Sequence, residues 1–115
     1  LYNMGNNISE SVHFINSYQR QILHLSAVFA CNFSNHMIRI SEKILKENNL
    51  DFNLLKPLIY NTINRIHTNS PKKTQTGPAI REDYKTIKKH IQLIKNDSQL
   101  KRIYSEITDN IIKNK

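Results

Sequence analysis

His24, Asn32, Asn35 and His36 stand close together in the run His24-Leu-Ser-Ala-Val-Phe-Ala-Cys-Asn-Phe-Ser-Asn-His36. Neutral imidazole and carboxamide both donate and accept hydrogen bonds, so these side chains can hold a carbonyl or hydroxyl group. An imidazole can also pass such a group a proton as a general acid. At about 100° per residue, an α-helix gathers His24, Asn32, Asn35 and Arg39 within an arc of roughly 80°, joined by Gln21. The opposite arc takes Ile22, Leu25, Phe29, Phe33, Met37, Ile40 and Ile44. A polar stripe on an otherwise core-forming helix is either a solvated edge or the wall of a site. Spacing alone favours the edge.

Other chemistries find little support. There is no Gly-rich phosphate loop, no His-Glu-x-x-His, no paired Cys and no Gly-x-Ser-x-Gly. No metal site is expected, because His24 and His36 are about 18 Å apart along a straight helix at 1.5 Å per residue. The single Cys31 lies in an apolar run and reads as a small buried hydrophobe. His13, His67 and His90 form no usable arrangement. Arg81 and Asp83 read either as a local ion pair with a helix cap or as an anion site, and the first is the commoner arrangement.

The elements that must position these residues are helical. Ser17 is a plausible N-cap for a long helix from Tyr18 to about Asn48, ending at the Asn48-Asn49 pair, which tolerates left-handed geometry. A second helix runs from Asp51 to about His67, and Pro57 in its second turn should kink it or push its start later. Thr68 to Asp83 is one long irregular segment with a turn of fixed shape at Thr76-Gly77-Pro78. Asp83 caps a third helix to about Lys95, and Asp97-Ser98 caps a fourth. The expected fold is an all-α bundle of about four helices with one long central helix. In front of it, Ser11 to Asn16 alternates like a short strand that has no partner here.

The chain has 115 residues and two Gly, enough for one modest core and a poor fit to turn-rich β folds. No run of about 18 apolar residues could span a membrane, so cytoplasmic placement is the simplest. Net charge is +8, and residues 71–115 hold eleven Lys and Arg against five Asp and Glu, or +6 of it. That excess would suit a polyanion, but the bases are dispersed at helical surface spacing with few aromatics, which does not favour nucleic acid.

The block His24 to His36, with Leu55-Lys-Pro-Leu58, Gln75-Thr-Gly-Pro-Ala79, Arg81, Asp83 and His90, resembles the helical C-terminal domain of Rossmann-like, NADP-oxidoreductase-type proteins. These are related to pyrroline-5-carboxylate reductase, to the 6-phosphogluconate dehydrogenase group with its C-terminal-like fold, and to deazaflavin-dependent NADP oxidoreductases. The module itself is largely known as a domain of unknown function. The resemblance covers roughly Val12 to Tyr104. It implies a parent protein in which a Rossmann domain binds NADP or NAD while the helical domain forms a homodimer and closes over a small-molecule substrate. On that basis residues 1–16 end the missing Rossmann domain or its linker, and residues 17–115 form the dimerisation and substrate-side domain. The start at Leu1 rather than Met suggests a fragment too. With no Gly-x-Gly-x-x-Gly, this chain would bind no dinucleotide and be inert alone.

The resemblance also implies roles. His24, Asn32, Asn35 and His36 match the cleft-facing helix, with His24 and Asn32 as the catalytic candidates and Asn35 and His36 as substrate contacts. Thr76, Gly77, Pro78, Arg81 and Asp83 match the loop block, its Thr76, Gly77, Arg81 and Asp83 as further substrate contacts. Related dehydrogenases often carry a Lys-and-Asn pair on the corresponding helix, and no Lys occurs here between Tyr18 and Ser41, so His24 would have to act as the acid. The alternative, from another class, is a stand-alone helical interaction module that binds protein or nucleic acid through the basic last third.

Overall fold

The structure, a computed structural model, describes residues 15–115, and every element among them is helical. The strand expected at residues 11–16 falls almost wholly outside the described residues, as does His13. The chain divides into two compact units, residues 1–55 and 56–115.

In the first unit, α1 (Ser17–Ala27) runs through a π-helical segment (Val28–Phe33) into α2 (Ser34–Glu47). The junction residues Ala27, Val28, Phe33 and Ser34 all keep right-handed helical backbone, so the three pieces form one continuous rod of about 45 Å. Its N-cap is Asn16 rather than Ser17. The Asn16 carboxamide accepts from the Gln19 N–H at 2.8 Å, and the Gln19 side chain accepts from the Asn16 N–H at 3.0 Å. This reciprocal box satisfies two backbone donors that the serine alone could not. At the far end Asn49 takes φ +59, as the Asn48-Asn49 pair suggests. There the Leu50 N–H donates to the Leu45 carbonyl and the Asn49 N–H to that of Lys46, closing a Schellman motif.

The second unit begins at Lys56, beside Pro57. A 3₁₀ turn (Phe52–Leu54) closes the first unit, and α3 (Lys56–Asn64) starts only one residue before Pro57. Proline thus sits in the first turn, where its missing N–H costs nothing. A further 3₁₀ turn (Arg65–His67) ends that segment. The stretch from Thr68 to Asp83 is less irregular than expected, because Ser70-Pro71 starts a one-turn helix, α4 (Pro71–Thr74). The cap expected at Asp83 begins α5 (Tyr84–Leu93), and Asp97 caps α6 (Ser98–Lys113) by accepting from the Leu100 N–H at 3.0 Å. Ala79 and Ile87, 6% and 8% exposed, are the buried apolar residues among those described. His90 on α5 meets Tyr104 on α6, with Nδ1 2.8 Å from the hydroxyl and the rings edge to face.

Candidate functional site

The polar residues of the rod lie on a helix whose pitch changes beneath them. In a π-helix the backbone bonds run from i to i+5, so one extra residue is absorbed per segment and everything beyond is rotated back by about one residue, near 100°. Across a straight α-helix His24 and His36 would differ by about 120° in azimuth, whereas across the π segment they differ by only about 20°. Asn32, inside the segment, falls within about 20° of both. Asn35 is carried about 80° away from His24. The expected grouping of His24, Asn32, Asn35 and Arg39 therefore changes: His36 joins the row and Asn35 leaves it. All four of these His and Asn side chains are exposed.

The same rotation straightens the apolar side. Leu25, Phe29, Phe33 and Met37, four residues apart, line up along the axis, and the Phe29 and Phe33 rings meet edge to face at 5.1 Å. Leu25 is 53% exposed and Phe29 62%. Cys31 is exposed, not buried as its apolar neighbours suggest, because nothing in the described residues covers this part of the rod.

The loop block belongs to the second unit. Gly77 has φ +101, and a Cβ there would meet no atom within 4 Å, so glycine is required by backbone shape and not by crowding. The turn that follows closes with the Asp83 N–H on the Pro78 carbonyl at 2.9 Å and the Glu82 N–H on that of Ala79 at 3.0 Å. Glu82 takes the left-handed φ of +52, and its carboxylate accepts from the Tyr84 hydroxyl at 3.0 Å and from the Lys115 ammonium. Those two hydrogen bonds, that of Lys115 first, hold the Glu82 carboxyl below its usual range, and the bond to Glu82 holds the Tyr84 phenol above its own.

Asp83 accepts from the Thr86 hydroxyl at 2.7 Å and the Thr86 N–H at 3.1 Å, and these bonds lower its carboxyl. Arg81 stands 3.9 Å from Asp83 in an exposed ion pair, an arrangement of small energetic worth. A groove of about 280 Å³ nearby is lined by Pro71, Gln75, Ile80, Ile111 and Asn114, but by none of Thr76, Gly77, Arg81 and Asp83. The residues 24–36 and 76–83 thus form two separate sets in two units.

Two features escape the sequence reading. The His90–Tyr104 contact joins residues fourteen apart on different helices and leaves no local signal. The π segment does leave one: both rows, His24-Val28-Asn32-His36 and Leu25-Phe29-Phe33-Met37, repeat every four residues, a period that drifts on an α-helix and is straightened by a π turn.

Residues 1–111 match the model of the family described as Domain of unknown function (DUF2520), and the chain belongs to that family. A solved structure from Bacteroides fragilis, titled "putative NADP oxidoreductase", is similar at 40% identity with a TM-score of 0.85. The likeness covers 88% of this chain and 39% of that one, so this chain spans about two fifths of its solved relative's length. No curated protein matches. The all-α reading and the family resemblance both hold. No helix among the described residues is long and apolar enough to cross a membrane.

Proposed function

We propose that this chain is the dimerisation and substrate-side domain of an NAD(P)-dependent oxidoreductase of the cytoplasm, acting with a Rossmann domain outside these residues. The observation that carries the reading is the 40% identical relative, titled "putative NADP oxidoreductase", of whose chain the matched part is 39%. NADP or NAD supplies the hydride when bound. The side chains of residues 15–115 offer it no Gly-rich turn between strand and helix.

On this reading the polar face of the rod lines the substrate cleft. His24 gives a proton to the substrate as the acid, and Asn32, two turns further along the rod, holds another polar group of the bound molecules by its carboxamide. His36, Thr76, Gly77, Arg81 and Asp83 make up the remaining substrate contacts, with Arg81 the natural partner for an anionic group; Asn35, turned away by the π segment, leaves the set. The apolar face packs on a second copy of the chain, because exposed rows of large apolar side chains mark interaction surfaces.

His24→Ala and Asn32→Ala in the parent protein should each lower turnover by about tenfold to a thousandfold, in the range a general acid or an oxyanion donor contributes. Melting temperature should be unchanged, since both side chains are exposed. Variants as active as the wild type would remove the polar row from the chemistry.

A further inference from the structure

An α-helix cannot keep residues four apart in a straight line, because each step of four overshoots a full turn by about 40°. Three such steps, from His24 through Val28 and Asn32 to His36, would carry the last side chain about a third of a turn away from the first. The π segment falls inside this interval, at Val28–Phe33, and its wider turn cancels the drift. π turns are rare inside α-helices and are frequently found at functional sites. The rod carries this one in its most apolar stretch, where plain packing would be served by uninterrupted α-helix.

We infer that the π segment serves to hold His24, Asn32 and His36 in one line on the substrate face of the rod, which makes His36, and not Asn35, the second imidazole or amide partner to the His24–Asn32 pair. The inference rests on the proposed function above, in which this face of the rod lines the cleft. Asn32 and His36 stand one turn apart, close enough to hold the same polar group. His24 lies about 12 Å from Asn32 along the axis and meets a different part of the bound molecules. Asn35 faces well aside and contributes to neither contact.

The test is covalent modification of histidine by diethylpyrocarbonate in the full-length parent, with and without NADPH, mapped residue by residue by mass spectrometry. His67, in the second unit, is the internal reference. His24 and His36 should lose reactivity together, each severalfold, while His67 keeps its rate. Deleting Ala30, which returns the segment to α-helical pitch, should leave His24 protected and restore His36 to its unprotected rate, with helicity by circular dichroism as the check on folding. Protection of His24 without His36 in the wild type overturns the assignment and leaves the cleft reading standing. The same conclusion follows if a folded Ala30 deletion keeps His36 protected. Protection of neither histidine overturns the cleft reading, and this assignment with it. The wild-type map alone decides between these outcomes if the deletion variant fails to fold.

Discussion

The two units of this chain spend their apolar residues differently. The rod of the first unit carries Ile22, Leu25, Phe29, Phe33 and Ile44 on its surface, none of them buried. The second unit packs its loop and last two helices against Ala79 and Ile87 and ties α5 to α6 through His90 and Tyr104, while Leu58, Ile63 and Ile66 stay exposed. The loop and last two helices of the second unit bury apolar residues of their own. The rod buries none of its apolar side chains. Burial contributes about 25 cal/mol per Å² of apolar surface, so side chains that stay exposed give the isolated rod little, and it stands mainly on capping and backbone bonds. On the proposed function the exposed face of the rod awaits a second copy of the chain, while α5 and α6 hold contacts of their own.

The contrast breaks most visibly at Phe29 and Phe33. Replacing both with Glu should turn the proposed dimer into a monomer, weakening association by two orders of magnitude or more, since each large apolar side chain contributes about 1.5–3 kcal/mol when buried. Sedimentation velocity of the wild type and the double variant checks it; an unchanged dimer would place the interface on another face. The opposite behaviour is expected at Ile87. Ile87→Ala should cost about 2–4 kcal/mol in denaturant unfolding by opening a cavity, with no effect on association beyond that of unfolding.

How far these features can be read from the amino acids depends on whether their cause is local. Asp83 and Asp97 are legible as caps because a carboxylate three residues ahead of an N–H is a complete mechanism within four residues. Asn49 and Pro57 are legible for the same reason: the backbone conformations each permits mark where a helix must end or begin. Ser70-Pro71 carries an equally local signal for the short α4, which the surrounding polar residues mask. Cys31 misleads because burial is not a local property; an apolar run is covered only if something packs on it. The azimuths of Asn35 and His36 mislead because a period of 3.6 is assumed through a stretch whose own rows repeat at four. Nothing local announces the pairing of His90 with Tyr104.

That pairing is the next place where the two units should differ. Tyr104→Phe keeps the ring and its edge-to-face contact but removes the hydroxyl, leaving a half-buried imidazole nitrogen unpartnered. The expected loss is about 1 kcal/mol. It should appear as faster amide exchange in α5 and α6 and leave α1 and α2 at their wild-type rates.

The smallest effect is also the most specific, and it concerns acid. Asp83 is held below its ordinary value of 3.8, chiefly by the Thr86 hydroxyl and then by the Thr86 N–H. A carboxyl whose value is lowered on folding stabilises the folded state fully above its unfolded value, and that stabilisation is lost as pH falls through the lowered one. The contribution of Asp83 is therefore present above about pH 4 and lost as pH falls below it. Thr86→Val removes the hydroxyl and leaves the backbone N–H in place, so the Asp83 carboxyl should titrate closer to its unfolded value and the acid slope of stability should flatten. Glu82 is also lowered, but by Lys115 and Tyr84, neither of which the substitution touches. A carboxyl-detected NMR titration can separate the two groups: Asp83 should move upward in Thr86→Val while Glu82 stays. If Asp83 does not move, the backbone cap alone sets its charge, and the start of α5 owes nothing to the hydroxyl.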